Sequence, residues 1–418
     1  MKAISFLGAG NASETTYYLP DGREYTAPYF PAALTRLYTI DTLLVFVTAG
    51  ARDKHYDSLY RLTKDSVRFI EPIDIPDGSN ERELWQIFGT VADAVEEKDE
   101  VIFDITHGFR TLPFLSFLAV AYLRAVKQIK LKAVVYGALE AGDKSFTPTR
   151  APVFDLTRFV TLLDWLTAAD RFIRFGDAND LASLLQNSEA TPIHLAAAAG
   201  NRQAQSFGSQ LKKAASAMEN VARPLRLTRP IETMQAATVL NKTLDGAQLA
   251  FEQWAPPFTL ITDAVRQAYA PFALDKPLEQ SNLIQSLTIQ RDLVKWYVDK
   301  NQIIQAATLG QEWLISWTMV QMGQFSLDVR QQRERVSRIL GAEKTWRSDE
   351  SDKDIDTTPL SNIPQITIAI QLFHNLGQVR NDLNHAGFRK NPLFAKSLIN
   401  QTKDLCRQLD QLSLPSQP

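Results

Sequence analysis

Residues 100–127 read EVIFDITHGFRTLPFLSFLAVAYLRAVK. EVIFDIT is a short apolar run of the length of a buried strand. It ends in Asp104, Thr106, His107 and Gly108, a group of polar, small and titratable residues. Around Pro113 the apolar residues resume and continue for several turns, which is the length of a helix over 112–127. Strand, polar turn and helix make half of a β-α-β unit, and the same alternation recurs on both sides of it.

Upstream, AISFLG (3–8), TLLVFVT (42–48) and VRFIEPI (67–73) are strand-like, and KAVVYGAL (132–139) follows downstream. Asp21-Gly22 in YYLPDGREY marks a hairpin turn. Helices are expected over 28–38, with Pro28 near the start, over 52–63, and from the capping pair Asn80 and Glu83 to about residue 96. Largely apolar strands alternating with helices imply a mostly parallel sheet covered on both faces, hence a Rossmann-like α/β domain over residues 1–155.

Past the stretch FTPTRAPVFD (146–155) the period changes. TRFVTLLDWLTAADRFIRFG (157–176) is helical in spacing and ends in Gly176, a C′ residue. Further helical segments are expected near 199–223, 230–253, 258–272, 280–299, 302–320, 328–340, 364–386 and 392–412. Residues 156–418 therefore read as an all-α region. Residues 343–363, EKTWRSDESDKDIDTTPLSNI, are polar and acidic and read as a surface loop.

Composition narrows the function. The chain of 418 residues has room for more than one domain. Its net charge of −2 gives no global basic field for nucleic acid, although a local basic groove stays open. One cysteine, Cys406, excludes a disulfide framework and a cysteine-rich zinc site, and no metal-ligand spacing occurs. The opening MKAISFLGAG turns polar too soon for a secretory signal, and no apolar run is long enough to span a membrane. The expected location is cytoplasmic.

Two places carry chemistry. In an open parallel sheet, ligands bind beyond the carboxyl ends of the strands. There the first strand leads into GAGN, with Gly8, Gly10, Asn11 and nearby Ser13. The second leads into TAGARDK, with Thr48, Arg52 and Lys54, and the fourth into Thr106, His107 and Gly108. Glycines admit a ligand close to the backbone, and amides at a helix start favour anions. The residues alone leave two readings open: a phosphate-binding loop, or a tight turn around a satisfied core histidine.

The second place is VRNDLNHAGF (379–388). Arg380 and His385 are five residues apart, which puts them roughly 140° apart on an ideal helix. Phe373, Leu376, Val379 and Leu383 form the apolar stripe that anchors this helix. An imidazole near neutral pKa and a fixed guanidinium suit metal-independent RNA cleavage. The first moves protons at the ribose 2′-hydroxyl and the leaving 5′-oxygen, and the second steadies the charged phosphorane. Asn381 and Asn384 stand ready to orient groups or contact RNA. Asp382 is read as a tuner of the histidine or a surface charge. An arginine–histidine spacing alone arises often by chance, so this reading leans on context.

Taken together, the two motifs resemble a known family. Asp104-Ile105-Thr106-His107-Gly108 looks like the DxTHG motif of CRISPR-associated proteins with a CARF domain. FLGAGNASETTYYLPDGREYTAPYF and FDLTRFVTLLDWLTAADRFIRFGDANDLA are similar to segments of the same group. RNDLNH resembles the RxxxxH motif of HEPN domains. The resemblance implies a type III CRISPR ancillary ribonuclease, with a CARF sensor for a cyclic oligoadenylate and a HEPN domain that cuts single-stranded RNA without a cofactor. It implies Arg380, His385 and Asn381 as the catalytic set. Gly8, Gly10, Asn11, Ser13, Thr48, Arg52, Thr106, His107 and Gly108 become the messenger contacts. Tetra-adenylate is the expected ring. A two-fold ring suits a homodimer or a higher even oligomer, whose pooled arginines and histidines form one cleft.

Three rivals stay in view. One is a non-catalytic CARF sensor that regulates a partner. Another is a ring nuclease that cleaves its own messenger, with His107 as the catalyst. The third is a DNA-binding regulator, to which only the basic segment QQRERVSRIL (331–340) points, and that segment reads better as a solvated helix face. Trp296, Tyr297, Trp313 and Leu314 are expected in a helical core, Glu312 as a buried polar partner for an arginine, and His55 and His194 show no partner pattern.

Overall fold

The structure, a computed structural model, describes residues 1–107, 112–187, 200–345, 358–388 and 390–414. The chain divides into two compact units, Met1–Asp164 and Trp165–Pro418.

The first unit is built on an eight-stranded sheet. Its strands are β1 (Lys2–Leu7), β2 (Thr15–Tyr18), β3 (Glu24–Ala27), β4 (Thr42–Val47), β5 (Phe69–Asp74), β6 (Glu100–Asp104), β7 (Lys130–Gly137) and β8 (Thr149–Asp155). The order is β3-β2-β8-β7-β6-β1-β4-β5. The central strands β7, β6, β1, β4 and β5 are all parallel. Among the described strands only β2 with β3 and β7 with β8 pair antiparallel. This is the mostly parallel, Rossmann-like sheet the alternation implied, with its hairpin at Asp21-Gly22.

Strand β8 was not foreseen. It lies in the proline-containing stretch read as a boundary. Proline lacks a ladder donor and normally stays at edges. Here β8 changes partner next to Pro152: Thr149–Pro152 face β2, while Val153–Asp155 face β7. The missing amide falls where one ladder hands over to the other.

Helices α1 (Phe30–Leu37), α2 (Asp57–Thr63), α3 (Glu81–Asp93) and α4 (Leu112–Val126) connect the strands. The helix expected over 52–63 forms, but its first part, Arg52–Tyr56, is a π-helical turn that runs into α2, with a helical turn at Ala49–Ala51 before it. The capping pair forms as read, since Asn80 Oδ1 accepts from the Glu83 amide at 3.1 Å and Asn80 Nδ2 donates to Glu83 at 2.7 Å.

The continuous apolar strands feed two cores, one on each face. Ala3 and Leu7 of β1 go to the core with α1, whereas Ile4 and Phe6 go to the core with α3 and α4. The same period of two puts Ile102 on the α1 side and Val101 and Phe103 on the other. Ser5 and Asp104 therefore both turn to the α1 face, and both are fully buried.

Beyond β8 the chain is helical: α5 (Thr157–Phe175), α6 (Asn179–Asn187), α7 (Arg202–Arg226), α8 (Pro230–Gly246), α9 (Gln248–Trp254), α10 (Pro256–Tyr269), α11 (Leu283–Asp299), α12 (Ile303–Gln321), α13 (Arg330–Thr345), α14 (Ile366–Asn384) and α15 (Ala395–Gln408). The segment expected over 230–253 is two helices, α8 and α9. Residues 346–357 of the expected acidic loop, and His194, lie outside the described residues.

The second unit has one core. Its centre is α12, which packs against α11, α13, α14 and α15. Helix α12 is apolar on nearly every side, so it must be buried. Trp313 and Trp317 are completely enclosed, and Trp313 Nε1 donates to the Leu287 carbonyl at 2.8 Å. Tyr297 is likewise core, with its hydroxyl on the Leu225 carbonyl at 2.7 Å. Among the described residues no helix is long and apolar enough to cross a membrane.

Candidate functional site

Strand order locates the first site. β1 sits between β4 and β6; α1, which leads into β4, packs on one face of the sheet, and α4, which follows β6, packs on the other. Such a switch point opens a crevice at the carboxyl ends of the two strands. The residues of Gly8–Glu14 follow β1 there, and Asp104–His107 end β6. Gly108 lies outside the described residues.

Asp104 organises the turn. Its carboxylate accepts from Ser5 Oγ of β1 at 2.5 Å and from the Thr106 amide at 2.7 Å. Burial pushes its pKa up, while the neighbouring His107 and the two donors pull it down. Thr106 Oγ1 in turn accepts from the Gly137 amide at the end of β7, at 2.8 Å. His107 Nε2 accepts from the Phe30 amide at 3.3 Å, so in the neutral ring the proton sits on Nδ1. Burial holds the His107 pKa below its ordinary value, and the Asp104 charge opposes that.

The loop after β1 is held from the π-helical turn. Lys54 Nζ donates to the Ala9 carbonyl and to Asn11 Oδ1, both at 3.1 Å. His55 is buried, with Nε2 on the Gly10 carbonyl at 2.6 Å and Nδ1 on the Tyr29 hydroxyl at 3.0 Å. A carbonyl only accepts, so Nε2 carries the proton and the Tyr29 hydroxyl donates to Nδ1. His55 thus has the two partners that sequence spacing did not reveal, because they stand 26 and 45 positions away.

Other candidates are placed less centrally. Ser13 is exposed, and its carbonyl accepts from Thr15 Oγ1 at 3.1 Å. Thr48 is buried and caps the helical turn, accepting from the Ala51 amide at 3.4 Å. Arg52 pairs with Asp74 at the end of β5, at 2.7 Å, instead of joining the loop after β1. Gly8 is partly buried, and Gly10 and Asn11 are exposed. Nothing lies within 4 Å of where a Cβ on Gly10 would stand. Packing does not demand glycine at that position, and the bare backbone faces open space.

The second site lies on α14. Phe373, Leu376 and Val379 are buried, and Leu383 packs against the same core, as the stripe implied. The opposite face borders an open cleft of about 860 Å³, walled by α14 together with Gln311 of α12 and Ser337 and Gly341 of α13. Arg380, Asn381 and Asn384 line it, and so do His374 and Gln378. At 100° per residue these positions span one broad face, with Arg380 at one margin and His374 and Gln378 at the other. The extrapolated position of His385 falls beside His374.

Arg380 is held by α12. Its Nη1 donates to Gln311 Oε1 at 2.8 Å and lies 3.7 Å from Glu312 Oε1. A Cβ added to Gly377 would stand 3.0 Å from Gln311 Nε2, so the glycine gives the amide its place against α14. The apolar neighbours of Glu312 pointed to an arginine partner for it, which it has, but its side chain is half-exposed and not buried; the sequence missed Gln311 and Gly377, whose signal exists only across helices.

His385 is the C-cap residue of α14 and is exposed. Ala386 and Gly387 follow in the left-handed region, with φ 50° and 77°, which ends the helix. His385 does not line the cleft beside Arg380 within one chain. Asp382 is buried, not a surface charge, and accepts from the Leu393 amide at 3.2 Å, tying the returning chain to α14. Among the described residues no group of three or more His, Cys, Asp or Glu gathers as metal ligands.

Comparison with known proteins bears on the first unit and the start of the second. Residues 2–140 match the family model for CRISPR system endoribonuclease Csx1, CARF domain. Residues 161–271 match that for CRISPR-associated protein MJ1674, second domain. The chain is 29% identical over 115 residues to the CRISPR-associated protein MJ1674 of Methanocaldococcus jannaschii. That alignment covers 27% of this chain and 18% of the relative. These matches support a CRISPR-associated protein with a CARF domain. Neither family match extends past residue 271, so the α14 cleft stands on its geometry.

Proposed function

We propose that the chain is a cyclic-oligoadenylate-activated, metal-independent endoribonuclease that cuts single-stranded RNA in CRISPR defence. One observation carries the reading: Arg380, fixed by Gln311, borders an open polar cleft in a chain whose amino-terminal unit is similar to the CARF domain of an endoribonuclease family.

The sensor is the crevice between β1 and β6. Bare backbone at Gly10, with Asn11, Lys54, Thr106 and His107 around it, suits a ring of phosphates and adenosines. Lys54 carries the charge that a phosphate would seek. Tetra-adenylate is the ring we propose.

At the α14 cleft the ribose 2′-oxygen attacks the adjacent phosphorus and the P–O5′ bond breaks. The products are a 2′,3′-cyclic phosphate and a 5′-hydroxyl. An imidazole accepts the 2′-hydroxyl proton, and an imidazolium returns one to the leaving oxygen. Arg380 stabilises the phosphorane oxygens, and Asn381 orients the substrate. His385 is exposed and outside the cleft of its own chain, which favours a homodimer in which the paired α14 helices pool their residues. Ring binding raises activity only by its differential affinity for the active arrangement.

The experiment is cleavage of a fluorescent single-stranded RNA with and without each cyclic oligoadenylate, in the presence of a chelator. Expected are activation by one ring size and a loss of roughly 10²–10³-fold in Arg380→Ala. Equal cleavage in every condition removes the switch. Full activity in Arg380→Ala removes the active site.

A further inference from the structure

Gln311 and Glu312 are neighbours on α12, yet they border different cavities. Gln311 lines the open cleft beside Arg380. Glu312 lines a smaller cavity of about 320 Å³, which Arg333 of α13 also borders. The Glu312 carboxylate bridges the two: its Oε2 lies 2.7 Å from Arg333 Nη2 and its Oε1 3.7 Å from Arg380 Nη1. The first contact is a charge-assisted hydrogen bond. The second is too long for one and acts through charge. Arg333 is further fixed by Ser316 Oγ at 2.9 Å and by the Leu327 and Glu312 carbonyls, both at 3.2 Å.

We propose that Glu312 and Arg333 are positioning residues for Arg380. The carboxylate orients the guanidinium in the cleft, and Arg333 limits how far that carboxylate neutralises it. Two cations share one anion, so the group keeps one net positive charge beside the cleft. A lone Glu312–Arg380 pair would present none. A free Arg380 would carry full charge but lose its orientation. The proposal rests on the reading of the α14 cleft as an RNA-cleaving site.

The test uses the full chain, saturating cyclic tetra-adenylate and a short fluorescent single-stranded RNA. Glu312→Gln keeps the shape and an acceptor while adding a net positive charge, so KM and kcat both fall. Arg333→Gln leaves the carboxylate to Arg380 alone, so KM rises. Each change is about three- to fivefold, because the groups are half-exposed and screened. The double variant restores the net charge, and its KM returns toward that of the parent. A purely structural role would instead shift both single variants in the same direction, in step with melting temperature, and that result overturns the proposal.

A second readout does not depend on cleavage. The Arg380 guanidinium signals in arginine-selective NMR, assigned by their loss in Arg380→Lys, should shift in Glu312→Gln and show faster rotation about the Nε–Cζ bond. Unchanged signals overturn the proposal whether or not RNA is cut. Retained cleavage in Arg380→Lys and Arg380→Ala overturns the functional reading instead, and leaves the NMR result standing.

Discussion

The two candidate sites are built on opposite plans. At the sheet tip, most of the residues that attract attention are buried or half-buried and bonded to one another. Asp104 is held by Ser5 and Thr106, Thr106 by Gly137, His107 by Phe30, and His55 by Gly10 and Tyr29. On α14 the polar groups stand on an open face, and the hydrogen bond to Gln311 fixes Arg380 among them. The first plan merges ligand loop and fold. The second leaves chemistry on a surface that the core supports from behind. Substitutions should therefore cost stability at the first site and activity at the second.

The sharpest test of that contrast is Asp104→Ala against Arg380→Ala. Removing Asp104 strands the Ser5 hydroxyl and the Thr106 amide in a buried place, at roughly 3 kcal/mol. Denaturant melts should show that loss, while Arg380→Ala stays within about 0.5 kcal/mol of the parent. Equal destabilisation by the two would erase the distinction.

Gly377→Ala probes the second plan from its own helix. Alanine favours a helix interior over glycine by about 0.8–1 kcal/mol. Its methyl would press on Gln311 Nε2, which is the end of a flexible side chain and can swing aside. The expected outcome is unchanged or higher thermal stability with cleavage reduced roughly tenfold, because Arg380 loses its fixed partner. A fall in melting temperature without loss of activity would reverse the assignment.

The smallest effect is a pH dependence at the sheet tip. His107 has a lowered pKa in the folded chain, so the unfolded chain binds its proton first as pH falls below about 6.5. Its contribution is complete above that value and is lost on acidification. Asp104, with a raised pKa, acts in the opposite sense through its own range. The parent should lose more stability between pH 7 and 5 than His107→Gln, whose amide oxygen still accepts from Phe30. Parallel curves in pH-dependent melts would show that the ring is not held neutral.

Most of the architecture was readable from periodicity. Apolar strands of six residues, as in TLLVFV, carry alternate side chains into two cores, and this is why they lack alternation. The capping pair Asn80–Glu83 announced its helix because its partners lie three residues apart. Strand β8 escaped because proline argues against a strand unless two half-ladders meet at it. The stripe through Leu376 and Val379 showed that α14 is anchored, and the spacing of Arg380 and His385 showed that they do not share a line. It gave no hint that a broad cleft face reaches from Arg380 toward the histidine side.

By itself, the sequence determined what depends on neighbours within a few residues: the strand and helix periods, the caps, the polar turn after EVIFD and the arginine on an anchored helix. Only the folded chain decided which distant groups meet. His55 with Gly10, His107 with Phe30, and Gln311 and Glu312 with Arg380 are pairs between 45 and 77 positions apart. A hydrogen bond or charge contact acts over a few ångströms of space whatever the separation along the chain, so no spacing rule encodes it.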